Sequence, residues 1–352
     1  LKVGRALLLN PVVDGPYFKF IAGANLRDLF TLERLGCLFG LAGATIIDVA
    51  AEPEVVKAVG RGIATGERWL AEPAPWLERC LAGRRVPGGA PIVMVSVTLT
   101  GDRHTQIAVV NDDTCIRCDW CTPVCPPGSI VNGDVEDAIC TGCGLCVPVC
   151  PPLAITMQAR PVSPDLMACW EAGARGLEVH TGAANGQDIL AIQPDVREWL
   201  KMGGLLSYSI DGKQLGLGRA VQLARELGQA GVIIQADGNP ISGRDGMRST
   251  VAAVRLARQM LAEGVQAWVQ PAGGTNDHTG RLARAFGLPI AGVGMGSFAR
   301  KVAAPIEREP DSEQAWEEAL SAAQRLIDTI RPAAGMLGAV DEAWPRRVNA
   351  ST

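Results

Sequence analysis

The 352-residue chain reads as an α/β protein whose eight strand–helix units are interrupted, after the third strand, by a separate cysteine-rich segment. Three observations predict this. Short β-branched runs alternate with longer stretches of 3.6-residue apolar period, the pattern of a parallel sheet wrapped by helices. Eight such runs can be counted, the number that closes a (β/α)8 TIM-like barrel. Eight of the 11 cysteines fall between Cys115 and Cys150, in a stretch that follows neither period.

In chain order, strands are expected at Phe18–Ala24, Thr45–Ala51 and Pro91–Thr98, and then at Gly176–Thr181, Gly204–Asp211, Gly231–Asp237, Gln266–Ala272 and Pro289–Gly294. The helix belonging to the third strand is expected only after the cysteine segment, at Asp165–Ala174. The barrel would therefore come in two pieces, residues 1–102 and 161–335, around an insert at 103–160, with a tail at 336–352.

Within the insert, Cys115-Ile-Arg-Cys118-Asp-Trp-Cys121-Thr-Pro-Val-Cys125-Pro is followed by Cys140-Thr-Gly-Cys143-Gly-Leu-Cys146-Val-Pro-Val-Cys150-Pro, one spacing used twice. In C-x2-C-x2-C-x3-C-P, three closely spaced thiolates wrap one [4Fe–4S] cube and the fourth reaches across to the other. The duplication predicts two clusters, one on Cys115, Cys118, Cys121 and Cys150, the other on Cys140, Cys143, Cys146 and Cys125. Structural zinc is the competing reading of C-x2-C pairs, but the repeated third and fourth cysteines do not follow a finger or ribbon pattern. The insert is then a bacterial-type 2[4Fe–4S] ferredoxin module. Trp120, between two ligands of the first set, is placed either to shield that cluster or to pack. Cys37, Cys80 and Cys169 lie in apolar helix-like segments and are expected to act as small core hydrophobes.

Composition narrows the function classes. Lys+Arg 33 against Asp+Glu 37 gives a net charge of −4, without the basic excess that nucleic-acid binding requires. With 47% hydrophobic and 20% charged residues the chain has an ordinary globular balance. The longest uncharged stretch, Ala138–Ala159, is broken by proline and cysteine, so no membrane insertion is expected. The opening Leu-Lys-Val-Gly does not resemble a signal peptide, and clustered metal-type cysteines suit a reducing compartment. A cytoplasmic location follows as the expectation, or the plastid stroma in a photosynthetic eukaryote.

In the barrel, Lys19, Asp48, Glu178, His180, Ser207, Ser209, Asp211, Gln235, Asp237 and Gln270 interrupt apolar strands and favour their C-terminal ends, where barrels carry active sites. The plainer alternative is a polar interior satisfied by its own neighbours. Gly273-Gly274 after the seventh strand and Gly296-Ser297 after the eighth are placed to cradle FMN or another phosphate-bearing ligand with backbone N–H groups. Lys19, adjacent to the eighth strand on closure, could add charge there, or could pair with Asp48 or Glu178. The loop Asp237–Gly246, carrying Arg244, is long enough to act as a lid. His104 and His278 are expected to be surface or satisfied residues, since eight cysteines complete both clusters.

Phe18-Lys-Phe-Ile-Ala-Gly-Ala, Leu41-Ala-Gly-Ala-Thr-Ile-Ile-Asp-Val-Ala-Ala, Gln235-Ala-Asp-Gly-Asn-Pro-Ile-Ser-Gly, Gln270-Pro-Ala-Gly-Gly-Thr-Asn and Gly294-Met-Gly-Ser-Phe-Ala-Arg flank the cysteine module. Together they resemble the light-dependent period (LdpA) family of cyanobacteria over most of the chain. The resemblance implies iron–sulfur centres and a part in passing cellular redox or light state to the circadian clock. It also implies a partner, either an electron donor or acceptor protein or a clock-input protein kinase. Only the eight cysteines carry over as functional residues. Two function classes follow: a redox sensor whose clusters inform a protein partner, or an oxidoreductase whose clusters feed a flavin or substrate at the barrel mouth.

Overall fold

A computed structural model of the chain describes residues 15–82, 84, 89–99, 106–159, 164–184, 186–239 and 246–331. Its strands are β1 (Tyr17–Gly23), β2 (Ile46–Ala50), β3 (Ile92–Thr98), β4 (Gln106–Val110), β5 (Ile130–Val131), β6 (Asp134–Val135), β7 (Ile155–Ala159), β8 (Gly176–His180), β9 (Leu205–Asp211), β10 (Val232–Asp237), β11 (Trp268–Ala272) and β12 (Gly292–Met295). Eight of them form one sheet in the order β11-β10-β9-β8-β3-β2-β1-β12, with every adjacent pair parallel. The sheet curls until Ala291, just before β12, donates its N–H to Val269 O of β11 at 2.9 Å. The fold is a (β/α)8 TIM-like barrel, and the cysteine module is inserted after the third strand. The boundaries at 102/103 and 160/161, the 336–352 tail, His104 and Arg244 lie outside the described residues.

Strand alternation sorts the side chains. Phe18, Phe20, Ile47, Val49, Val95, Leu177 and Ile234 point outward into the core shared with the helices, where Phe20 stacks on Phe39 at 3.8 Å. Tyr17, Ile46, Ile92, Met94 and Ile233 point inward and plug the N-terminal end of the barrel. Above that plug the interior is polar: Lys19, Asp48, Ser96, Glu178, Ser207, Gln235 and Gln270 are all buried.

The helices are α1 (Leu29–Ala42), α2 (Pro53–Ala71), α3 (Pro75–Leu81), α4 (Leu166–Glu171), α5 (Gly186–Lys201), α6 (Gly212–Leu215), α7 (Leu217–Leu227), α8 (Met247–Ala262), α9 (Thr279–Ala285), α10 (Ser297–Arg300), α11 (Ala304–Arg308) and α12 (Glu313–Asp328). Local chemistry sets their starts. Asp28, Asp165 and Ser312 each accept a backbone N–H in the first turn of α1, α4 and α12, and Pro53 and Pro75 open α2 and α3. Asp211 is another such cap, accepting from Lys213 N and Gln214 N, so it belongs to α6 rather than to a polar ring at the barrel mouth. None of the described helices is long and apolar enough to cross a membrane.

The module closes on itself. β4 and β7 pair antiparallel from Gln106↔Ala159 to Val110↔Ile155, which returns the chain to where it left the barrel. β5 and β6 form a hairpin whose two-residue turn, Asn132-Gly133, has positive φ at both positions (50° and 86°), the geometry that an Asn-Gly turn favours.

Helices α1 and α2 approach through glycine. A Cβ at Gly36 would lie 2.6 Å from Val59 O, and one at Gly62 would run into the Glu33 carbonyl. Gly62→Ala should therefore force the pair apart and lower stability by about 1–3 kcal/mol, as overpacking does. Urea denaturation followed by circular dichroism reads this directly, and an unchanged midpoint would show that the helices have room to spare.

Candidate functional site: two cysteine cages beside a buried ion cluster

The duplicated cysteine motif folds into two cages. Cys115, Cys118, Cys121 and Cys150 line one pocket together with Ile116, Arg117, Asp119, Trp120 and Gly133. Cys125, Cys140, Cys143 and Cys146 line a second with Ser129, Ile130, Gly144 and Met157. Each fourth cysteine has crossed to the other half, as the spacing requires. No cysteine is in a disulfide. Cys150 Sγ accepts the Ala154 N–H at 3.3 Å, and Ser129 Oγ lies 3.2 Å from Cys125 Sγ. Burial pushes the Cys146 thiol up to about 11 and raises Cys143 as well, so loading the second cage must displace protons.

The width of the cages separates the two metal readings. Tetrahedral zinc at Zn–S of about 2.3 Å holds its sulfurs within about 3.8 Å of one another. Among the described residues no trio of cysteine sulfurs has all members within 4.8 Å; the one trio of metal-type donors that close is Asp48, Glu178 and His180. Four thiols whose sulfurs stand this far apart fit a multi-atom core better than a single ion.

The two cages differ in their surroundings. The second faces the barrel. Asn25 Nδ2, in the loop after β1, donates to Gln106 O at 2.7 Å, and Arg27 N donates to Ala138 O at 2.8 Å. Gly142, between Cys140 and Cys143, has φ +70 and fits so closely that a Cβ there would lie 2.9 Å from Asn25 Nδ2. The first cage faces solvent: Cys118 is exposed, and Trp120, which lines the cavity, is still 61% exposed.

Inside the barrel, the positive charge of Lys19 is already taken. Its ammonium donates to Glu178 across the barrel, lies 3.2 Å from Asp48 Oδ2, and donates to Gln235 Oε1 at 3.2 Å. It is therefore not the anion ligand suggested above. It occupies the space that the close Asp48–Glu178–His180 trio would otherwise offer a metal ion. Ser207 Oγ (2.8 Å) and Gln235 Nε2 (3.0 Å) donate to Glu178, Gln270 Nε2 donates to Gln235 Oε1 (2.7 Å), and Ser96 Oγ donates to Asp48 Oδ1 (2.6 Å). His180 Nε2 lies 3.3 Å from Glu178 Oε1 and 3.2 Å from Ser96 Oγ. Burial would raise the Glu178 carboxyl, but Lys19 and His180 outweigh it and hold Glu178 well below the usual carboxylate range. For Asp48, burial prevails over the pull of Lys19, and its pKa is raised. Ser96, which links Asp48 to His180, was not singled out from the sequence. Its signal was the alternation Ile92, Met94, Ser96 on the inward face of β3.

The glycine turns answer to packing. Gly273 and Gly274 have φ +68 and +78; a side chain at the first would strike Asp237, and one at the second Ser249 O. Thr275 Oγ1 donates to Gly294 O at 2.5 Å, and Asn276 Nδ2 donates to Gly246 O and Ser249 Oγ, so the seventh loop rests on strand β12 and on the start of α8. Gly273 and Gly274 pack toward the loop after β10, whereas Gly296 packs toward Ile21 of β1. The helix from Ser297 runs only four residues, which leaves little aligned dipole for an anion. His278 is partly exposed, 3.9 Å from Asp277. Cys37, Cys80 and Cys169 are buried, and burial pushes the thiols of Cys37 and Cys169 up to about 12.

Comparison with known proteins agrees with this geometry. The light dependent period A C-terminal domain family matches residues 170–338, and the 4Fe-4S binding domain family matches residues 135–156. Light dependent period A of Synechococcus elongatus is 32% identical over 363 aligned residues, covering 93% of this chain and 94% of that protein. Among solved structures, the YdjI aldolase of Escherichia coli K12 is similar at TM-score 0.44 and 10% identity, over 90% of this chain and 91% of that one. A putative fructose-1,6-bisphosphate aldolase of Coccidioides immitis is similar at TM-score 0.43 and 13% identity, over 94% and 98%. Likeness at that level says nothing about the chemistry of the barrel.

Removing the Glu178 charge should cost about 3 kcal/mol at neutral pH, because Lys19 would be left with a poorer set of buried partners. A carboxylate held below its unfolded value of about 4.3 contributes its full stability above that pH and loses it as pH falls toward the folded value. The stability gap between wild type and Glu178→Gln should therefore narrow as the pH falls below about 4.3. Denaturation midpoints across that range test it, and a constant gap would mean that Glu178 is not ionised in the barrel.

Proposed function

Because the chain belongs to the light dependent period A family, we propose that this iron–sulfur protein carries two [4Fe–4S] clusters and senses cellular redox or light state, modulating the circadian clock through a protein partner. The observation that carries this reading is the sorting of eight cysteines into two crossed sets of four around two pockets. Cores held there would let the chain take up and give back single electrons. The residues of the chain do the rest. The N–H of Ala154 and the hydroxyl of Ser129 approach cluster-type sulfurs, a contact that tunes potential. Asn25, Arg27 and Gly142 fasten the second cage to the loop after β1, so a shift in the Cys140–Cys143 loop would be felt at the barrel.

The oxidoreductase reading, with FMN or a phosphorylated substrate at the barrel mouth, is less well supported. Its polar ring is buried and bonded to itself, and its expected cation, Lys19, is committed to carboxylates. On the sensor reading, the partner is an electron carrier or a clock-input kinase, and the cytoplasm is the compartment that suits exposed thiolate ligands.

Anaerobically purified protein should contain about eight iron and eight sulfide per chain. Cys118→Ser should lose the signal of the solvent-facing centre while keeping much of the other; zinc in place of iron would overturn the reading. Hydrogen exchange at residues 24–28 should differ between dithionite-reduced and oxidised protein. That difference should vanish in Cys143→Ser, and exchange that ignores oxidation state would argue against a sensor.

A further inference from the structure

Resting on that redox reading, we propose that the face around Cys115–Cys121 is a docking surface for a soluble electron-carrier protein whose cofactor edge is ringed by lysine and arginine. Charge is the first argument. Near the first cage, Asp112, Asp113, Asp119 and Asp134 stand against one basic residue of the described module, Arg117. That guanidinium is already spent, donating to Asp112 Oδ1 at 2.9 Å and Asp134 Oδ1 at 2.7 Å, while the outer parts of both carboxylates stay exposed (78% and 80%). The collar around the first cage is therefore acidic, and it would repel a second copy of itself or an anionic lipid surface.

The apolar contact is the second argument. Ile116 (65% exposed) and Trp120 (61%) flank the exposed Cys118. An exposed tryptophan within a polar rim is the composition of an interface centre. Arg117 and Asp119, on either side of Cys118, both hold left-handed φ (53° and 64°), a conformation that costs residues other than glycine about 1–2 kcal/mol. That backbone shapes the loop that leaves Cys118 exposed at the edge of its pocket. The second cage has no such freedom, since Asn25, Gln106 and Arg27 hold its loop against the barrel.

The probe is cytochrome c, a strongly basic haem protein, titrated anaerobically by calorimetry against the full iron-loaded chain. Binding should weaken at least about tenfold between about 20 mM and 200 mM salt. Asp112→Lys with Asp113→Lys should weaken it about tenfold at low salt and flatten the salt dependence. Trp120→Ala should weaken it about tenfold at either salt concentration. Asp113→Lys alone, which leaves the Arg117 pairs intact, guards against a disturbed cage and should still weaken low-salt binding; visible absorption checks that each variant keeps its iron. Asp195→Lys with Glu226→Lys, on the barrel helices, should change little. Collar variants that bind like wild type, or barrel variants that weaken binding as much, overturn the proposal while leaving the two-cluster reading intact. Dissociation of a dimer on Trp120→Ala would assign the face to a second copy and equally overturn it. Iron analysis that finds no cluster overturns the redox reading itself, whatever the binding result.

Discussion

The upper half of the barrel is arranged around one buried ammonium. Lys19 cannot leave the interior, and an unpaired charge there would cost several kcal/mol, so the adjacent β2 supplies Asp48 and β8, across the barrel, supplies Glu178. Two carboxylates in turn need donors, which Ser96, Ser207 and Gln235 provide, and Gln270 completes the set. Gly294 is glycine because a side chain there would crowd Gln270 Nε2 at 2.7 Å. One charge thus accounts for inward-facing residues on seven strands. It also makes β1 a fixed wall, and the loop at its end is the one that holds the module.

The module is asymmetric although its sequence motif is duplicated. One half shows a cysteine, a tryptophan and a carboxylate collar to solvent; the other is pressed on Asn25 and Arg27. The crossing of Cys125 and Cys150 binds the halves together, so the outward and inward cages belong to a single unit with one exposed side. Such an arrangement suits a protein that receives a signal at one end and reports it at the other.

The parts of the chain that could be read from sequence were those with a strict period or spacing. The eight barrel strands lie within a residue or two of the β-branched runs except at the start of β12, where Pro289–Ala291 leads in before pairing begins. Thiolate spacing also anticipated which cysteines share a cage. What escaped was anything decided by a partner distant in sequence. Lys19 is 159 residues from Glu178, so its role as an ion-pair member, rather than an anion ligand, could not be chosen from β1 alone. Glycines at 273, 274 and 296 looked alike in sequence, yet the first two serve positive φ and close packing toward β10 and the third lies against β1. Asp211 looked like a ring member and is a helix cap, because a strand end and a helix start coincide there.

The β4–β7 ladder bears on how the barrel closes. Pairing of β3 with β8 must bridge roughly 75 residues, an entropic cost that grows with the logarithm of loop length. Once β4 and β7 have zipped together, the insert enters and leaves at adjacent points, and the barrel experiences a connection about a third as long. The saving is about 1 kcal/mol. Melting of the module on loss of its metal would return that entropy to the unfolded chain, so the iron supply could shift the folding equilibrium of a barrel whose strands never touch it.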